Sequence, residues 1–388
     1  AACGLAQSQG MLIAARAVQG LGGAVVSAIS LSLIMNLFTE PAERAKALGV
    51  YGFVCAGGGS IGVLLGGVLT GALSWHWIFL VNLPIGLAVL FACMRLLPAG
   101  KGNGHGGLDV GGAVSVTIAL MLAVYAIVNG NEAGWTSLPT LGMLGMAAVL
   151  FAAFLAIEAR VPTPLMPLGL FRLRNVATAN VVGVLWAAAM FAWFFISALY
   201  LQLVLNYSPM QVGLAFLPSN LIMAALSLGV SAKLVMRFGN RLPLGAGLLV
   251  AAAGLALFAL APVDGSFMRH VLPGMVLLGL GAGIAFNPVL MAAMSDVKPE
   301  ESGIASGIVN TAFMMGGSLG LAVLASLAAA RTASLQQAGA SAATALNGGY
   351  HLAFLLGATF ALAAAAVGVL FLRRGLHADD AAPAAAMH

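Results

Sequence analysis

The polar positions of this chain are gathered into short clusters, and between them run apolar stretches of twenty residues or more. Turn residues and charges cut the sequence into about eleven such spans, near 11–38, 46–70, 76–97, 109–129, 139–159, 176–204, 211–236, 241–262, 269–294, 302–330 and 350–372. Each reaches the ~20 residues that a helix needs to cross a bilayer. Lipid leaves no water to satisfy backbone N–H and C=O groups, so only helices or a closed barrel can span it. The alternation of a strand is absent from the spans. The pattern predicts an all-α polytopic membrane protein.

Composition sharpens this reading. Only 7% of the 388 residues are charged, 61% are hydrophobic, and mean hydropathy is +1.05. A soluble domain carries about a quarter charged residues. The net charge of +5 forms no basic stripe, so no nucleic-acid partner is implied. Its distribution gives orientation instead. Alternate loops hold Arg44 and Lys46; Arg95 and Lys101; Arg160, Arg172 and Arg174; Lys233, Arg237 and Arg241; Lys298; and Arg373 and Arg374. The intervening loops hold only Arg269 and Arg331. The positive-inside rule makes the first set cytoplasmic, so the C-terminus is expected in the cytoplasm. Residues 1–8 resemble the tail of an earlier span and the chain begins with Ala1. Both features lead to the expectation that helices are missing ahead of it.

A repeat organises the spans. Pro41 to Gly62 aligns without gaps to Pro299 to Gly320 at a constant shift of 258 residues. Glu43 matches Glu301, Gly49 matches Gly307, and Gly58, Gly59, Ser60 and Gly62 match Gly316, Gly317, Ser318 and Gly320. Both copies run from a cytoplasmic loop into a Gly-rich span, as in transporters built from two parallel bundles. Eight spans separate the copies where six would suffice, so 109–159 is predicted to be an inserted helix pair. The expected domains are 1–97, the remainder of an N-terminal bundle; 98–162, a linker with the inserted pair; 163–375, a six-helix bundle; and 376–388, a cytoplasmic tail.

Few residues inside the spans can carry chemistry. Arg16 lies within the first span with Gln19, Gly20 and Gly22 on neighbouring turns. An arginine there costs about 2.5–3.5 kcal/mol on insertion scales and is by default functional; the competing reading is a head that snorkels to the interface. Every Asp and Glu lies in a loop, at a span end or in the tail, so no carboxylate offers itself as partner. Small residues four apart at Gly58, Gly62 and Gly66, with Gly67, suit close helix packing. Trp186, Met190, Trp193 and Ser197 share one face of their span, with Tyr200 following; they suit an adaptable apolar cavity or, equally, a lipid-facing belt. Asn287-Pro288 interrupts a helix as substrate sites do, or as a packing kink does. The six histidines and three cysteines share no metal-ligand spacing. Lys101 to Gly107 is Gly-rich but lacks the strand and the Lys-Ser/Thr end of a phosphate cradle. No nucleophile and base are paired, so an enzyme is not expected.

These residues also carry a family resemblance. Arg16 through Ala24, with Gln19, Gly20 and Gly22, resembles the fourth-helix motif of the major facilitator superfamily, and Gly58 through Gly67 resembles its fifth-helix antiporter motif. Pro164 to Arg172, Tyr207 to Pro218 and Ala305 to Gly317 resemble the fourteen-helix drug:proton antiporter branch. The resemblance covers nearly the whole chain and implies a two-bundle fold with two inserted linker helices. It implies export of hydrophobic or cationic small molecules in exchange for protons, by alternating access, with no cofactor beyond the proton gradient. The implied location is a bacterial inner membrane, with lipid, substrate and protons as partners; a periplasmic adaptor is left undetermined. By the same resemblance Arg16 and Gln19 would serve proton coupling, and Gly58, Gly62, Gly66 and Gly67 bundle packing. Trp186, Met190, Trp193, Tyr200 and Asn287 would line the cavity, while Arg237, Gly239 and Arg241 echo a cytoplasmic loop motif. Val63 stands where the family has a proline, and Met236 where an Asp is usual. The alternatives are an exporter of one metabolite, siderophore or lipid, and a non-transporting membrane scaffold.

Overall fold

The computed structural model describes residues 1–38, 40–96, 109–295, 297–298 and 301–373. Outside them lie the Gly-rich stretch Lys101 to Gly107, Pro299 of the repeat, Arg374 and the tail, as do the side chains of Pro41, Cys55, Ser60 and Val63. Among the described residues eleven helices are long and apolar enough to cross a membrane. In chain order they are α1 Gln9–Leu37, α2 Pro41–Ala72, α3 Trp77–Leu96, α4 Val110–Ala133, α5 Leu138–Glu158 and α6 Arg174–Val204. They continue with α7 Pro209–Phe238, α8 Arg241–Phe258, α9 Phe267–Ala293, α10 Ser302–Gln337 and α11 Ala342–Phe371. The chain is a multi-pass helical membrane protein, as the hydrophobic pattern predicts.

The helix starts are written locally. Ser8, Asp109, Ser137, Ser208 and Ser341 each accept a hydrogen bond from a backbone N–H of the first turn. This satisfies one of the donors a helix leaves open at its start. Ser208 and Gln211 complete a reciprocal capping box. The largest departure from the expected spans is between α10 and α11. The pattern puts a loop over about 331–349, whereas both helices extend into it and leave only residues 338–341 as a turn. Polar residues such as Arg331 and Gln336 lower the hydropathy there, but alanine-rich sequence is a strong helix former, and helix length follows that propensity. Gly339, at φ +87°, makes the reversal in a left-handed conformation that a side chain would strain. Arg331 therefore stands on α10 rather than in a loop.

Packing is dense in the second half of the chain. Helices α6, α8, α9 and α11 contain most of the buried apolar residues, including Trp186, Trp193, Phe258 and Phe354. Backbones approach closely at small residues: Gly281 of α9 meets Gly247 and Ala251 of α8, and Gly316 and Gly320 of α10 meet Val184 and Ala188 of α6. The first three helices bury far less, and α3 buries no residue. They join the rest through α1 against α10 and α2 against α7 and α9. Helices α4 and α5 pair with each other, and α4 rests on α10. There Asn131 Nδ2 donates to both the backbone oxygen and Oγ of Ser326 at 2.8 Å, and the Trp135 indole donates to Asn131 Oδ1 at 2.9 Å.

Candidate functional site

Where the early helices meet the later bundle, the described residues enclose a cavity of about 410 Å³. Leu31 of α1 and Tyr51 and Gly59 of α2 form one side. The other side comes from α6, α7, α9 and α10. The wall is aromatic and thioether-rich, with Trp186, Phe191, Phe194, Phe286, Phe313, Met190, Met223 and Met314. Phe313 meets Phe191 and Phe286 edge to face at 6.0 and 6.4 Å, the preferred arrangement for ring quadrupoles. Three amides interrupt this surface: Asn180, Asn220 and Asn310. Asn310 is tied down, its Nδ2 donating to the backbone oxygens of Ser27 and Ser306 at 3.2 Å. An apolar pocket with a few convergent polar groups is the usual form of a small-molecule site.

A second cavity, of about 670 Å³, follows along α6, lined by Gly66, Gly67, Thr70, Gln202, Pro209 and Phe216 among others. Met190, Phe191 and Phe194 line both cavities, so these three side chains stand between them.

The residues singled out in the sequence fall into separate places. Trp186 and Met190 line the first cavity. Trp193 does not; it is 1% exposed and packs at a tilt behind the wall against Phe194 and Phe216. Tyr200 is equally buried, and its hydroxyl donates to the backbone oxygen of Pro262 at 2.8 Å, so it anchors the end of α6. Position along one helical face thus selects inward-facing residues without telling a cavity from a helix contact. Asn287 is also absent from both walls, and α9 runs through Pro288 without a break. The Asn287 amide donates to Ser227 O at 3.4 Å, at the point where Gly49 of α2 comes against the same carbonyl. It sits at a joint between α2, α7 and α9.

Arg16 is exposed on α1, fifteen residues from Leu31 and so about 22 Å away along the axis at 1.5 Å per residue. Its Nη1 donates to Gln19 Oε1 at 2.9 Å, and its guanidinium lies 5.8 Å from the Phe79 ring centroid. Among the described residues it meets no carboxylate. The glycines of α2 divide. A side chain at Gly58 or Gly62 would meet nothing within 4 Å, whereas Gly67 lies against the backbone of Pro209 and Met210. The close approaches of α2 are at Gly49, Gly52 and Gly67, because only those faces have a described helix beside them. Gly239, at φ +71°, ends the polar segment carrying Arg237 and leads into Arg241; Arg237 lies over the Phe238 ring at 5.2 Å.

Sequence reading also missed a pairing. Asp109 and Glu158, 49 residues apart, are both buried and face the same glycine, Gly112. Asp109 caps α4 through Gly112 N at 2.8 Å, and Glu158 accepts from Met166 N at 2.9 Å. They lie together at the end of the α4–α5 pair where α4 begins and α5 finishes. The only signal in the sequence was that the two acids bracket that pair.

Two groups of helices facing one another across an aromatic cavity define a membrane carrier of the two-bundle kind. The chain matches the family model of the Major Facilitator Superfamily over residues 1–321, and it belongs to that superfamily. It is 39% identical over 373 residues to the puromycin resistance protein pur8 of Streptomyces alboniger, covering 95% of this chain and 73% of that one. It is 37% identical over 325 residues to the cephamycin export protein CmcT of Amycolatopsis lactamdurans, with coverages of 83% and 67%. To the multidrug resistance protein Stp of Mycobacterium tuberculosis it is 36% identical over 329 residues, with coverages of 85% and 61%. The chain thus spans between 61% and 73% of the length of these relatives.

Proposed function

We propose that this chain forms the translocation path of a secondary active exporter that moves hydrophobic small molecules out of the cell in exchange for protons. The observation that carries the reading is the aromatic, Met-rich cavity between helices from the two ends of the chain. Thioethers and rings repack around varied ligands at little cost. The second cavity, which shares Met190, Phe191 and Phe194 with the first, supports a path opened alternately on each side. The names of the relatives, two resistance proteins and one export protein, support the direction and the cargo class. In this reading the protein resides in a bacterial inner membrane with its C-terminus in the cytoplasm, and Arg16 with Gln19 serves proton coupling.

The test is transport in inverted vesicles that contain the protein as it occurs in its native membrane. Imposing a pH gradient should drive uptake of hydrophobic dyes, and a protonophore should abolish it. Uptake that ignores the gradient for every compound tried would sink the antiport reading.

A further inference from the structure

Helices α1 and α10 are joined by a polar ladder in antiparallel register. Asn310 Nδ2 donates to Ser27 O at 3.2 Å, and Ser302 Oγ donates to Asn36 Oδ1 at 3.0 Å. Between these rungs a side-chain carbon on Gly303 would lie 3.6 Å from Ser32 Oγ, so the backbone of α10 comes close to α1 there. Ser302, Ser306 and Asn310 recur every four residues and share one face of α10. The outer rungs are eight residues apart on α10, about 12 Å along its axis.

The position of the ladder gives it a consequence. At one end Asn310 lines the aromatic cavity, together with Leu31 of α1 and Phe313 of α10. The other end lies where α1 and α10 lead to Arg44 and Lys298, the face that the loop charges assign to the cytoplasm. The ladder therefore runs from the cavity wall to that face, between a helix from each part of the chain.

Its bonds are also of a kind that exchanges easily. Asn310 shares its amide nitrogen between Ser27 O and Ser306 O, both at 3.2 Å. Both oxygens sit inside α-helices and keep a backbone N–H four residues on when the amide leaves. Separation of the two helices at Asn310 thus strands neither carbonyl.

We infer that this ladder is the latch that closes the cavity toward the cytoplasm, with Asn310 as the positioning residue that ties the cavity wall to α1. Its release lets α1 and α10 part and admits cargo from the cytoplasm; its re-formation shuts that entrance. The inference rests on the reading of this cavity as the transport site, and it names the contact that controls one entrance to it.

The test reads access to the cavity from each face. The native Cys3, Cys55 and Cys93 are replaced by alanine, and Met223→Cys places a single thiol on the α7 part of the cavity wall. A membrane-impermeant thiol reagent is applied to inverted vesicles and, separately, to intact cells. One interhelical bond is worth about threefold in an equilibrium, so Asn310→Leu should speed labelling in the vesicles by about that factor and slow it in cells. Asn310→Gln, which restores a donor, should return both rates toward the wild type. A loosened or misfolded protein would be labelled faster from both faces, and that result, or unchanged rates from both, would overturn the inference. In a second arm, Ser32→Cys with Gly303→Cys is oxidised to fasten the latch. Gradient-driven dye uptake should stop and return on reduction; uptake by the cross-linked protein would equally overturn the inference. Opposite shifts in labelling without uptake of any dye would keep the latch and overturn the antiport reading. Gradient-driven uptake with labelling that Asn310→Leu leaves unchanged would do the reverse.

Discussion

At the scale of single residues, the two kinds of glycine give opposite expectations. A leucine at Gly320 would drive its side chain into Ala188 of α6. Overpacking of this kind costs about 1–3 kcal/mol, so Gly320→Leu should lower the unfolding temperature of the detergent-solubilised protein by several degrees. Gly58 has nothing within 4 Å, so Gly58→Ala should leave that temperature unchanged. Equal destabilisation by both would mean that the Gly58 face is covered by a packed helix. Arg16 presents a different case, because its described contacts are a single amide and a ring. If it serves coupling, Arg16→Ala should reduce gradient-driven uptake at least tenfold while the amount in the membrane stays constant. Uptake at the wild-type level would leave Arg16 as a snorkelling side chain.

At the scale of elements, the α4–α5 pair is held to the bundle by a small polar clasp. Asn131 bonds Ser326 twice, Ser326 Oγ donates on to Ile127 O at 3.2 Å, and Trp135 closes the cluster. Interhelical hydrogen bonds in membranes are worth about 0.6 kcal/mol on average and about 1.7 at most. Asn131→Leu should therefore cost about that much stability and loosen α4 from α10. Faster hydrogen exchange confined to α4 and α5 is the expected result; exchange spread over the whole bundle would contradict a local clasp. A second joint lies where Gly49 of α2 meets the Ser227 carbonyl and the Asn287 amide. Gly49→Leu cannot be accommodated against backbone and should block transport, with the protein still present in the membrane. Normal uptake by that variant would show that α2 and α7 separate freely.

At the scale of the whole molecule, the loop charges predict which side each loop faces. Cysteines introduced at position 264 or 134 should react with a membrane-impermeant thiol reagent on intact cells. A cysteine at 239, beside Arg237 and Arg241, should react only after the cells are opened. Labelling of the opposite set would invert the orientation.

The number and identity of the helices were legible in the sequence, because lipid forces every long apolar run to satisfy its own backbone as a helix. The small-residue repeat was only half informative: Gly316 and Gly320 lie against α6, while their repeat partners Gly58 and Gly62 have no described atom within 4 Å. The extra turns of α10 and α11 were hidden, because hydropathy measures lipid exposure while alanine extends a helix beyond it. The cavity was half legible. A face carrying Trp186, Met190 and Trp193 announces that side chains converge, but helical periodicity carries no distance to the neighbouring helix. Only the tertiary packing decided that Trp186 lines the cavity while Trp193 meets Phe216, and that Asn287 sits at a joint between helices. Asn180 and Asn220, forty residues apart, gave no local signal; they share one wall because α6 and α7 bring them together.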